Sequence, residues 1–329
     1  MTKRFIAPLP EWGLIHASGA DAATFLHGQL TNDLLHLAAG AAQWNGYCTA
    51  KGRMLASFLV WRDDSGGFFL ATDKALAPAL TKRLRMFVLR AKTVIEDVSA
   101  GFVCFGLAHA LVDAPTPAAS MSVAQRHAGW HLSLPPIDGL GRTLAYVPNQ
   151  AVSGFSGQQP VTAGDASDWT RLMIHAGEAW VTPATQEAFV PQMINFDAIG
   201  GINFKKGCYP GQEIVARAHY RGAVKRRMYR AEVDAVAAAG DPLFGSAAGG
   251  QECGVIALAA PSRAAGSGPD GDAAGTQSAN RTSRDTIVTS AVLAVVQMQS
   301  QADGEVRLGA PDGPLLRFAA LPYAIPEPL

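Results

Sequence analysis

Residues 205–213 read Lys-Lys-Gly-Cys-Tyr-Pro-Gly-Gln-Glu, and they hold the side chains best suited by type and spacing to do chemistry. A lone cysteine, Cys208, sits between two lysines and a Pro210-Gly211 turn. An apolar-periodic segment begins at Gln212. Ile214, Val215 and Ala218 fit one helical face, while Glu213, Arg217 and Arg221 recur at i, i+4 and i+8 on another. A helix starting near Gly211 would present its positive end beside Cys208, with Lys205 and Lys206 adding charge. Each feature favours the thiolate, the form of cysteine that attacks electrophiles and binds metals. The plain alternative is a small residue filling a tight turn, because most free cysteines are buried and inert.

A second charged set follows. Arg217, Arg221, Lys225, Arg226, Arg227 and Arg230 are either a solvated helix face running into a strand, or a positive rim for carboxylates or phosphates. Glu213, one turn before Arg217, is its natural ion-pair partner. His27, His175 and His219 have no partner visible in the sequence and read as structural. No His/Cys cluster has metal-ligand spacing, so no metal site is expected.

The elements that must position these groups alternate irregularly. A helical pattern over Ala22 to Leu30 follows the capping candidates Ser18 and Asp21. Leu55 to Trp61 and Phe68 to Ala71 flank a polar Asp63–Gly67 turn and predict a hairpin. Leu76 to Leu89 predicts a second helix, and Thr93 to Val98 and Phe102 to Leu107 predict strands. Residues 168–177 predict a helix capped by Asp168, and 185–199 a further one ending at Gly200-Gly201. Beyond residue 228 the helical pattern fades into Tyr229–Val233, Gly254–Leu258, Ile287–Gln297 and Glu305–Leu308, a set of short strands that suggests a small barrel or sandwich. Helices and antiparallel strands mixed in this way give an α+β fold.

From Pro261 to Asp285 no large apolar residue occurs, so this stretch cannot offset its ordering entropy and is expected to be a mobile insertion. Its Gly266-x-Gly268-x-x-Gly271 has no strand before it or helix after it and is a chance match to a dinucleotide fingerprint. Lys+Arg and Asp+Glu number 27 each, so no global field draws the chain to nucleic acid or an anionic membrane. The four cysteines, at 48, 104, 208 and 253, show no close pairing, which fits a reducing compartment. With no signal-peptide pattern and no apolar run of spanning length, a cytoplasmic location is expected.

The run from Ile202 to Arg226, with Lys-Gly-Cys-Tyr-x-Gly-Gln-Glu, Val-Ala-Arg-Ala and Arg-Gly-Ala-x-Lys-Arg, resembles the signature of the YgfZ proteins, folate-binding relatives of the glycine-cleavage T-protein. Weaker similarity extends from Trp12-Gly13-Leu14 and Phe25 to Asp33 through to Leu321-Pro322-Tyr323. The resemblance implies a three-lobed fold. Residues 1–48 with about 150–227 would form one α+β lobe, 49–149 a second, and 228–329 a C-terminal β-barrel carrying the 261–285 insertion. It implies tetrahydrofolate or a one-carbon derivative as cofactor. Trp12 and Trp169 would stack on the pterin, a flat aromatic ring that needs an aromatic wall. Lys206 and Tyr209, together with Glu213, Arg217 and Arg221, would face the ligand, the cations suiting the carboxylates of its glutamyl tail.

The implied function is that of an accessory protein in iron–sulfur protein assembly or repair, with indirect effects on tRNA modification. Iron–sulfur enzymes or their assembly factors would be its partners, and direct binding to nucleic acid is not expected. The rival is a tetrahydrofolate-dependent aminomethyl- or methyltransferase with Cys208 as its catalytic residue. The T-protein's catalytic aspartate position corresponds here to Ala56 and Ser57, after Lys51-Gly52-Arg53-Met54. Neither side chain can replace a carboxylate in proton transfer, which counts against aminomethyl transfer. His175 stands where the family usually has an acid.

Overall fold

The computed structural model describes residues 4–111, 121–126, 129–156, 162–220, 224–261 and 289–326. The expected insertion at 261–285 lies outside them except for Pro261, and Arg221 lies outside them as well. Two sheets and six α-helices make up the described residues.

The strands of the first sheet are β1 (Phe5–Pro8), β2 (Trp12–Ser18), β3 (Ala41–Cys48), β4 (Met54–Arg62), β5 (Phe68–Asp73) and β6 (Val94–Asp97). They are joined by β7 (Phe102–Ala110), β8 (Met121–Arg126), β9 (Gly129–Ile137), β10 (Leu140–Pro148) and β11 (Thr162–Ala163). Their order is β11-β1-β7-β10-β9-β8-β3-β4-β5-β2-β6, antiparallel except where β1 meets β11. The β4–β5 hairpin forms as expected, because the Asp63 carboxylate accepts from the backbone N–H of Ser65 and Gly67 at 2.8 and 2.7 Å and so closes the turn.

The second sheet comprises β12 (Arg226–Val233), β13 (Pro242–Gly245), β14 (Glu252–Pro261), β15 (Ser290–Gln297), β16 (Val306–Leu308) and β17 (Arg317–Ala319). In the order β16-β13-β14-β15-β12-β17 it curls into a half-barrel whose edges are β16 and β17. Helices α1 (Ala22–His27), α2 (Ala77–Arg85), α3 (Val152–Ser156), α4 (Ala166–Ala176), α5 (Gln212–Tyr220) and α6 (Met298–Asp303) complete the described chain.

Helix α4 joins the two sheets. Its Trp169, Leu172 and Met173 belong to one buried cluster with Leu14 and Ile15 of β2 and with Leu258 and Leu293 of the half-barrel. Asp165, not Asp168, is the N-cap. Asp165 accepts from the Asp168 N–H at 3.0 Å, and the Asp168 side chain answers by accepting from the Asp165 N–H at 3.1 Å, a capping box.

The expected helix over 185–199 is absent. Two short 3₁₀ turns, Pro183–Thr185 and Pro191–Ile194, occupy the region instead. The polar side chains there bond to other segments: Gln192 donates to the Val215 carbonyl at 2.6 Å and Asn195 to that of Met228 at 2.8 Å. Asn195 itself turns left-handed, with φ 57°, which stops any helix at that point.

Candidate functional site

The loop 205–211 leads into α5, which starts where the apolar periodicity begins. Gly211 fixes the junction. It has φ +81°, and a Cβ there would lie 2.4 Å from the Thr49 carbonyl oxygen and 2.7 Å from the Gly52 Cα. Only glycine tolerates both the conformation and the approach. The 49–53 turn therefore packs directly on the start of α5, which brings the Lys51-Gly52-Arg53-Met54 and Lys-Gly-Cys-Tyr segments together. Val215 faces inward, and Glu213 and Arg217 pair on the solvent side at 3.0 Å, as their spacing predicts.

Cys208 is exposed, whereas Cys48, Cys104 and Cys253 are buried. Lys206 does not stand beside the thiol in solvent. It is buried, and its ammonium donates to the carbonyls of His27 and, at 2.7 Å, Leu30, just past the end of α1. Its Nζ also lies 4.7 Å from the centre of the Tyr209 ring, and Tyr209 is buried too. Both residues anchor the loop. His27 approaches Asp33 at 3.2 Å, so the residue without a visible partner has one. Burial, and then the Lys206 charge, hold the His27 imidazole below its usual range. Burial acts to raise the Asp33 carboxyl, but its hydrogen bonds from His36 prevail and hold it low.

Burial lowers the Lys206 ammonium from 10.5 to about 8, against an opposing pull from Asp33 and Cys208. Between those values the unfolded chain binds the extra proton and the folded protein does not. The Lys206 contribution to stability therefore rises with pH across that window and is smallest below it. Urea denaturation on either side of the window should show a rise in wild type that Lys206→Met lacks. Parallel pH profiles for the two proteins would mean that Lys206 titrates as a free lysine.

A second locus lies between β2, α4 and β14. Trp12 and Trp180 pack with ring centres 3.9 Å apart and line a cavity of about 390 Å³, with Met173 and Leu258 on other walls. Glu11 and Asp73 also line it, because β2 and β5 pair Trp12 opposite Asp73. Burial raises both carboxyls. At Glu11 its own backbone N–H partly offsets the rise and the Asp73 charge adds to it, and at Asp73 backbone donors at Ala75 and Leu76 partly offset the rise. The Asp73 Oδ1 accepts from the Ala75 N–H at 2.9 Å.

The sequence-derived residues are thus divided between two places. Trp12 faces the cavity, while none of the cavity's walls comes from residues 205–220. Trp169 lines no part of it and is fully buried. Arg227 leaves the basic rim: it is buried, bonds Asp197 through both terminal nitrogens at 2.7 and 2.9 Å, and donates to the Gln192 carbonyl. Ala56 and Ser57 are buried in β4, and the Ser57 hydroxyl accepts from the Val181 N–H at 2.9 Å. His175 meets Asp138 near the surface. Trp180, Glu11 and Asp73 were not singled out from the sequence. Only the acid immediately before Trp12 offered a local signal, since the rest depends on strand register and long-range packing.

No protein-family model matches the chain. A tRNA-modifying protein YgfZ from Sodalis glossinidius is 33% identical over 229 residues, covering 67% of this chain and 69% of its own. The protein of the same name from Serratia proteamaculans is 34% identical over 228 residues, 67% of this chain and 68% of its own. In the Yersinia pestis (strain Pestoides F) protein of that name the identity is 32% over 245 residues, 71% and 73% of the two chains. Among solved structures, the glycine cleavage system aminomethyltransferase T from Bartonella henselae superposes with a TM-score of 0.64, 98% of this chain on 86% of that one, at 16% identity. The fold is therefore the one expected.

Proposed function

The chain belongs to the YgfZ family, and from that premise we propose that it is a folate-binding accessory protein for iron–sulfur protein assembly or repair, acting on tRNA modification indirectly. The observation that carries the folate reading is the cavity of about 390 Å³ walled by the Trp12–Trp180 pair. Its volume lies within the range of roughly 300–1,000 Å³ usual for small-molecule sites, and indoles provide the flat apolar wall that a pterin stacks on. Tetrahydrofolate or a one-carbon derivative is the ligand. Arg217, exposed on α5 and paired with Glu213, lines no part of the cavity; the family resemblance is what assigns it to the glutamyl tail. Trp169 supports the cavity from behind through Met173, four residues further along α4.

Cys208 is the group that meets the client, because it is the exposed thiol of the four and sits on a loop anchored by Lys206 and Tyr209. The transferase reading has that same thiol in its favour. Against it stand Ala56 and Ser57, buried in a strand where a carboxylate would be needed. Turnover of a labelled one-carbon donor on tetrahydrofolate separates the two readings.

Tetrahydrofolate should quench tryptophan fluorescence, and Trp12→Leu should remove most of that quench and weaken binding. A folded Trp12→Leu protein with wild-type affinity would eliminate the stacking role.

A further inference from the structure

We propose that Glu11 and Asp73 form the acceptor edge of the Trp12–Trp180 cavity, selecting a flat heteroaromatic ring that carries adjacent N–H donors, as the amino-pyrimidinone edge of a pterin does. This rests on the folate reading of the same cavity and adds the feature by which the ligand is recognised.

Pairing β2 with β5 sets Trp12 opposite Asp73, and the Lys74 N–H donates to the Glu11 carbonyl at 2.8 Å, so both carboxyls and the indole come to one wall. Asp73 is 7% exposed, and among the described residues no lysine, arginine or histidine pairs with either carboxyl. Among these residues no cation neutralises either acid, so the Asp73 charge bears directly on the half-buried Glu11. Backbone donors at Ala75 and Leu76 meet Asp73, and Glu11 accepts from its own backbone N–H, but a carboxylate has about four lone-pair sites, which leaves acceptor capacity on both.

A ligand filling this space must present a flat face to the indoles and N–H groups to the acids. Two parallel N–H donors on one ring edge match a carboxylate in the bidentate geometry that arginine uses. A ring whose edge carries an oxo group in place of the amino group would set an acceptor against an acceptor.

The probes are pterin and lumazine, the same bicycle with the amino group replaced by oxo, and tetrahydrofolate as the control for the underlying reading. Wild type should bind pterin at least about tenfold more tightly than lumazine, the order of discrimination when a site's hydrogen-bonding groups are left unpaired. Asp73→Asn keeps the acceptor for Ala75 but turns an NH₂ group toward the ligand, and Glu11→Gln is equally conservative. Each should remove most of the preference in a protein that still unfolds cooperatively, by weakening pterin binding and, since the new NH₂ meets the oxo group, tightening lumazine binding. Variants that keep the full preference, a wild type with no preference, or tetrahydrofolate binding without pterin binding would overturn the acceptor edge and leave the folate reading standing. A wild type that binds none of the three probes would overturn both.

Discussion

Cys208→Ser is expected to fold as wild type does and yet to abolish the protein's support of iron–sulfur enzymes. The side chain is exposed, so exchanging sulfur for oxygen removes little packing, and the stability change should stay within about 0.5 kcal/mol. The backbone around it does not depend on the thiol. Gly211 locks against the 49–53 turn, and Lys206 ties the loop to the end of α1. The proposed role does depend on it, because no other cysteine is accessible. Burial pushes Cys48 up to about 12, and Cys104 and Cys253 also upward, which keeps all three as thiols. Iodoacetamide should therefore label native protein at Cys208 and spare the others until the chain unfolds. The functional test is a deletion strain carrying Cys208→Ser, with cluster-enzyme activities measured beside growth. Full complementation by the serine variant would make Cys208 a turn residue in a conspicuous sequence.

The features legible in the sequence were those written in local pattern. The α5 periodicity, the Glu213–Arg217 pair and the Asp63–Gly67 hairpin each need only neighbours within a turn or two. The errors come from competition by distant groups. Residues 185–199 have enough apolar content for a helix, but Gln192 and Asn195 give their hydrogen bonds to α5 and β12, and a left-handed Asn195 closes the segment. Arg227 looked like one more cation in a basic string until Asp197, thirty residues away, took both of its terminal nitrogens. Lys206 lies near enough to Cys208 for the two to interact electrostatically, yet its hydrogen bonds go to the carbonyls of His27 and Leu30, partners that no local pattern announces. The cavity was the least legible of all. Trp12 and Trp180 meet across 168 positions, and Asp73 joins them only through strand register.

Trp169→Ala is expected to cost about 3–5 kcal/mol, the usual range for emptying a large aromatic from a core. The indole has no exposed surface. It lies so close to β7 that a Cβ on Gly106 would fall 2.5 Å from its ring, so that glycine exists to receive it. Nothing nearby can refill the space, because Leu172 and Met173 of the same helix already belong to the buried cluster between the two sheets. The loss should appear in urea denaturation as a lower midpoint. Gly106→Ala should mimic part of it from the opposite side by forcing the indole off its strand. Folate affinity should fall as well, by a route separate from that of Trp12, since loosening α4 moves Met173 at the cavity wall. The comparison is therefore between two kinds of loss. Trp12→Leu should weaken binding more than it weakens the fold, and Trp169→Ala should weaken the fold first, with binding restored by conditions that restabilise the protein. If Trp169→Ala instead kept near wild-type stability and lost folate outright, the indole would be touching the ligand, and α4 would have to move from its present position to let it do so.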